Sequence, residues 1–152
     1  YNNFTDAIND LNCRGISAAV TFNVFAGQVF NEYPPVIATS GTSANTVTFI
    51  KFGGGANPNL RGTTGLGSLD GIIRMVGCDY FTFDGIDFTD NPANVTTITQ
   101  FEWAIFMRNN GGTDGARNNI IRNTTILRTS KDIRRINIYL IRLIICSYFL
   151  QK

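Results

Sequence analysis

Phe4, Ala7, Ile8 and Leu11 recur at steps of three and four, the spacing that sets apolar side chains on one face of a helix. Asn3 is placed to cap that helix, Asp6 sits near the positive end of its dipole, and Gly15 offers a left-handed stop with Ile16 folding back on the last turn. From Val20 the period changes to two. Val20, Phe22 and Val24 alternate with Thr21 and Asn23, as in a strand with one buried face. Gly27 ends it, a short Val29-Phe30 step follows, and Pro34-Pro35 forbids regular pairing there.

The step Val20-Thr21-Phe22 returns as Val47-Thr48-Phe49 and as Phe81-Thr82-Phe83, at spacings of 27 and 34 residues. A weaker copy, Asn119-Ile120-Ile121, follows 38 residues later. Around the last two copies the match extends: Phe83-Asp84-Gly85-Ile86-Asp87-Phe88 aligns with Ile121-Arg122-Asn123-Thr124-Thr125-Ile126. Ile73-Arg74-Met75 aligns with Ile105-Phe106-Met107 at a spacing of 32, the difference of six residues falling in a loop over residues 109–118. Units of this length joined by Gly or Asn bends, with no helix between them, predict stacked parallel strands around a continuous Val, Ile and Phe interior. Helical repeats, leucine-rich repeats and hairpin-built propellers each lack their signature. Asn23, Asn119 and Asn123 are read as bend residues suited to left-handed conformations. The fold predicted is all-β, a partial right-handed parallel β-helix solenoid whose open end is covered by an N-terminal amphipathic capping helix. It divides into residues 1–16 as the cap, 17–128 as rungs, and 129–152 as an atypical basic and apolar tail.

The 152 residues suffice for one core, and a charged fraction of only 16% with abundant Gly, Asn and Thr favours strands and tight turns over a helical bundle. The net charge of +2 hides a division: residues 131–152 hold five Lys/Arg against one Asp, and the other 130 residues hold eight against ten. The body therefore has no basic field, which argues against nucleic acid as a partner. Cys13, Cys78 and Cys146 have no metal spacing and are read as buried or half-buried thiols. The absence of histidine excludes Ser-His-Asp and Cys-His mechanisms.

The run Phe4-Thr5-Asp6-Ala7-Ile8-Asn9-Asp10-Leu11-Asn12, with Gly15-Ile16 and Val20-Thr21-Phe22-Asn23-Val24, resembles the start of bacterial secreted or surface proteins with a pectin lyase-like β-helix. Asp79-Tyr80-Phe81-Thr82-Phe83-Asp84-Gly85-Ile86-Asp87-Phe88-Thr89 and Asn118-Asn119-Ile120-Ile121-Arg122-Asn123 resemble the same group. The likeness covers residues 4–127 and speaks to fold more than to activity, since such β-helices occur in lyases, hydrolases and adhesins. It implies export to the cell surface or beyond and a longer parent chain, in which many relatives carry a C-terminal sorting domain.

Proteins of that group offer enzymatic sites and binding surfaces with recognisable residue patterns. Pectate lyase-like sites use clustered carboxylates for Ca²⁺ and an Arg or Lys as base. With Phe81 and Phe83 inward, Asp84 and Asp87 face out as a candidate weak calcium pair, or else serve the turn by accepting from nearby amides. No other cofactor is implied. Polygalacturonase-like hydrolases are echoed only by Gly112-Thr113-Asp114-Gly115, without their paired acids and histidine. For a binding surface, two loops over residues 89–102 and 109–118 flank a strand over 103–108. If Ile105 and Met107 point inward, Phe106 and Arg108 project between those loops with Arg74 alongside, a candidate glycan site in which an aromatic ring stacks on a sugar and guanidinium groups hold its acids. The expectation is thus a non-catalytic segment for adhesion or glycan binding, the alternative being the N-terminal part of a lyase or hydrolase of acidic polysaccharide.

The tail departs from this pattern. Residues 136–150 are largely apolar, but Arg142 near their centre argues against a membrane span. The abrupt change of composition reads as an out-of-frame or prematurely ended terminus. A last rung with an unpaired edge also predicts poor solubility, which a monodisperse monomer in sedimentation would contradict.

Overall fold

The computed structural model describes residues 1–65, 71–127 and 141–142. Among these residues one helix, α1 (Phe4–Arg14), precedes eleven short strands: β1 (Val20–Phe25), β2 (Val29–Glu32), β3 (Val47–Phe52), β4 (Asn59–Gly62), β5 (Gly71–Val76), β6 (Phe81–Asp84), β7 (Asp87–Asp90), β8 (Trp103–Arg108), β9 (Ile120–Arg122), β10 (Ile126–Leu127) and β11 (Ile141–Arg142). A 3₁₀ turn, Thr97–Thr99, lies before β8.

The strands fall into three sheets, ordered β1-β3-β6-β9-β11, β2-β4-β7-β10 and β5-β8. All pairs are parallel except β11, which runs antiparallel along β9. The chain therefore visits the three sheets in a repeating order. Ile37, bridged in parallel to Met75, extends the third sheet into the first circuit. The expectation of an exposed edge at the far end is met only in part, because Ile141 and Arg142 pair with Ile121 and Ile120. The rest of the unusual tail, residues 129–152, lies outside the described residues. Among the described residues no helix is long and apolar enough to cross a membrane.

The repeats align in the structure as they do in the sequence. Val20, Val47 and Phe81 form one column, Thr21, Thr48, Thr82 and Ile120 the next, and Phe22, Phe49, Phe83 and Ile121 the third. Phe22 stacks on Phe49 with ring centroids 4.4 Å apart, and Phe49 on Phe83 at 5.3 Å. In the second sheet Phe30, Leu60, Phe88 and Ile126 make the inward column. Fully buried Leu60, Phe83 and Phe88 show that the columns meet in one interior. Each large apolar side chain so buried contributes about 1.5–3 kcal/mol.

The helix seats on the start of this stack. Phe4, Ala7, Ile8 and Leu11 are buried, and the Phe4 ring packs edge-on to Phe30 and flat against Phe49. Asn3 caps it as expected, its side chain accepting from the Asp6 N–H at 2.6 Å. Glu32 adds a second anchor. Its Oε1 accepts from the Phe4 N–H at 3.0 Å, and its Oε2 from the Thr5 N–H at 2.8 Å and the Thr5 hydroxyl at 2.6 Å. An acid from β2 thus satisfies two donors that a helix start leaves unpaired, at the positive end of its dipole. Asn12 then ties the helix to the following segment, donating to the Val36 carbonyl and accepting from the Ala38 N–H.

The bends differ from the sequence reading. Asn123 does adopt a positive φ of 54°, matching Gly85 at 68° one circuit earlier. Asn23 instead lies inside β1, and it is Asn118, not Asn119, that is left-handed, at φ 56°. Tyr80 holds the position corresponding to Asn118, at φ 60°. Two asparagines in sequence are equivalent to composition, but only the first faces the turn. The second turns its side chain into the interior.

Candidate functional site

The third sheet and the loops around it carry the candidate glycan surface. The predicted register holds: Ile73 pairs with Ile105, Arg74 with Phe106 and Met75 with Met107. Ile105 and Met107 pack against the interior, while Phe106 is half-buried on the other side and Arg108 is exposed at the strand end. The flanking loop before β8 begins later than expected, because Thr89 and Asp90 belong to β7.

Arg74 is less available than the alternation suggests. Its Nη2 donates to the Pro34 carbonyl at 2.7 Å, and its guanidinium carbon lies 4.0 Å from the centre of the Tyr33 ring. The Pro34-Pro35 segment that cannot pair as a strand still supplies a carbonyl, and Tyr33 a ring, so Arg74 is oriented from outside the sheet. This stacked geometry is worth about 0.5–2 kcal/mol. Arg74 is thus held on Tyr33 and Pro34, and Arg108 is the exposed cation of the set.

Trp103 was missed by the sequence reading. It opens β8, is 51% exposed, and its ring lies 6.3 Å from Phe106 at an interplanar angle of 38°. Gly71 is its partner on β5. A Cβ at Gly71 would come within 2.9 Å of the Phe106 backbone N and 2.8 Å of its Cβ, so the absent side chain is what lets Phe106 settle there. The only tryptophan of the chain, with no apolar column to join, was the available signal.

Asp84 and Asp87 occupy a different corner, between the first and second sheets. Asp84 does not face solvent as expected: it is 9% exposed, covered by the next circuit. Its Oδ2 accepts from Arg122 Nε at 2.9 Å and pairs with Nη2 at 2.8 Å, and its Oδ1 accepts from Asn123 at 2.7 Å. The register sets Asp84 beside Arg122, which brings the two side chains within reach. Asp87 Oδ1 accepts from the Asn57 amide and from the Thr125 N–H, each at 2.8 Å. Asn57 also donates to the Asn123 carbonyl. Amide donors and a guanidinium thus hold both acids, and this network clasps three successive circuits at the bend. Among the described residues no group of three or more His, Cys, Asp or Glu side chains is arranged to hold a metal.

The cysteines divide. Cys13 is exposed, contrary to the expectation of covered thiols, because the last turn of α1 extends past its buried face. Cys78 is fully buried and donates to the Ile37 carbonyl at 2.9 Å. Burial pushes its thiol up to about 11 from an ordinary 9.0. In a Cys146→Ser background, iodoacetamide at pH 8 is expected to modify Cys13 and to spare Cys78 until the protein unfolds, as read by mass spectrometry. A raised folded value means the neutral thiol's contribution is complete below the unfolded pKa and is lost as pH climbs from about 9 toward 11. Equal labelling of both thiols in the native state would contradict this.

Class follows from these elements: a mostly β protein of parallel sheets with one short helix. No protein-family model matches the chain, and searches of curated proteins and of solved structures find no similar one.

Proposed function

We propose that the chain winds as a right-handed parallel β-helix and that the outer face of its third sheet binds acidic glycan without turning it over. The repeating order of three sheets supports the winding, and connections between parallel strands of one sheet overwhelmingly favour the right hand. One observation carries the binding reading. The exposed ring of Trp103 stands next to Phe106, with Arg108 exposed at the end of the same strand. Aromatic faces stack on the apolar face of a sugar, and a free guanidinium pairs with a uronate carboxylate in two-point fashion. The setting that accompanies this reading is the cell surface or the secreted space, within a longer chain, and it rests on the pectin lyase-like resemblance.

A glycan array followed by titration with oligogalacturonate tests the assignment. Arg108→Ala is expected to weaken binding at least about tenfold, the worth of one charge-assisted hydrogen bond of about 1.5 kcal/mol or more. Trp103→Ala should do the same, whereas Thr48→Ala on the first sheet should bind as the parent does. Release of unsaturated uronate products in the presence of Ca²⁺, abolished by Arg108→Ala, would replace this reading with that of a lyase. Unchanged affinity in both variants would remove the site.

A further inference from the structure

A second surface lies at the start of the stack, away from the third sheet. A cavity of about 660 Å³ opens between α1 and the outer edge of β1. At the two ends of β1 the N–H groups of Val20 and of Ala26, the residue just after the strand, bond to the carbonyls of Thr46 and Phe52 in the next circuit. Because direction alternates along a strand, the N–H and C=O groups of Thr21, Asn23 and Phe25 point the other way, into the cavity. Among the described residues no hydrogen bond uses them and no strand pairs with β1 on that side. Six residues of β1 present an edge about 20 Å long.

The surroundings define what can occupy it. Phe22, Phe30 and Phe49 line the cavity from the interior, and Asp10, Leu11 and Arg14 of α1 line it opposite β1. A strand needs about 4.8 Å beside its neighbour. With α1 lining the cavity opposite β1, an added strand would lie between the sheet edge and the helix. Asp10 and Arg14 neutralise each other at 2.6 Å, which leaves no net charge to select a charged ligand. We infer that this groove receives an extended, uncharged peptide as an added strand on β1. Its alternate apolar side chains face the phenylalanine floor, and its main chain pairs with Thr21, Asn23 and Phe25. This is the edge-addition mode, in which backbone groups give affinity and alternate pockets give selectivity. It is independent of the glycan reading.

The probe is a blocked, fluorescein-labelled hexapeptide of alternating threonine and valine, followed by anisotropy with the full chain. Saturable binding is expected. N-methylation of the peptide at alternate positions distinguishes strand pairing from greasy contact without altering the protein. Methyl groups on the N–H groups that face β1 should weaken binding at least tenfold, about 1.4 kcal/mol, while those on the other set should change it less than about threefold. Asn23→Pro removes one cavity-facing N–H at a position where an edge strand tolerates proline, and should weaken the peptide too, with circular dichroism confirming the fold. Equal effects of the two methylation sets, absence of saturable binding, or formation through β1 of a dimer that excludes the peptide would each overturn the inference.

Discussion

Replacing Phe49 by alanine is expected to lower the free energy of unfolding by about 3–5 kcal/mol, the range for emptying a phenylalanine site in a packed core. Phe49 is 1% exposed and sits in the middle of a column, flat between Phe22 and Phe83. It is also the ring on which Phe4 of the helix rests, with centroids 5.6 Å apart. Each aromatic pair adds about 0.5–1.5 kcal/mol beyond buried area, and one substitution removes three of them. The neighbours are fixed by main-chain pairing to the strands on either side, so the void cannot close by sliding. Against a total of about 5–15 kcal/mol for a typical domain, the variant would be close to unfolding. Urea titration followed by circular dichroism measures the loss, and Thr48→Ala, on the outward side of the same strand, should cost less than about 1 kcal/mol. Equal losses for the two variants would mean that the columns are not the source of stability.

That column is legible in the sequence because parallel strands stacked in register place like residues over like. Three copies of an apolar, Thr, apolar step can hardly arise in another pairing without moving their phenylalanines outward. Extension of the match through Phe88 and Ile126, and through Met75 and Met107, fixed two more sheets by the same logic. β4 escaped because Asn59-Leu60-Arg61-Gly62 contains a single large apolar residue. Its Leu60 is buried only because Phe30 and Phe88 lie on either side. Gly62 looks like a strand breaker, yet a Cβ there would come within 2.4 Å of the Phe101 ring, which fills the interior at that point. Such a residue is chosen by a neighbour about 40 positions distant, and no local pattern reports it.

The candidate sites were legible to a lesser degree, for a related reason. Register placed Arg74 beside Phe106, but not the carbonyl of Pro34 that turns the guanidinium aside. Asp84 and Asp87 were found as a pair of acids, whereas their function as partners of Arg122, Asn123 and Asn57 depends on loops crossing from other circuits. Glu32 carries no signal in the repeat pattern, being one polar residue at the end of β2. Its role arises because the helix start arrives above it, 27 and 28 residues away in sequence. Polar side chains act here through contacts that sequence spacing does not encode, and apolar side chains through ones that it does.

Asn119 gives the sharpest test of that difference. It stands in the column above Phe81, where the earlier copies are apolar, and is 4% exposed. Its Oδ1 accepts from the Phe81 N–H at 2.9 Å and its Nδ2 donates to the Cys78 carbonyl at 2.8 Å. The side chain thus closes two main-chain groups of the preceding circuit at the corner between the third and first sheets. Asn119→Leu would restore the apolar pattern of the repeat but leave both groups buried without partners. Each orphan costs about 1–3 kcal/mol, so a loss of about 2–6 kcal/mol is expected, only partly offset by the added apolar area. Asn119→Asp separates the two bonds. A carboxylate still accepts from Phe81 but faces the Cys78 carbonyl, and burial without a cation favours its protonated form, which can donate again. Its folded pKa is therefore raised above the unfolded value of about 3.9, so stability is complete below that value and falls as pH rises. Urea titrations of the aspartate variant at pH 4 and pH 8 should show the acid sample closer to the parent. If the leucine variant were as stable as the parent, the apolar repeat alone would specify the corner; the hydrogen bonds predict that it does not.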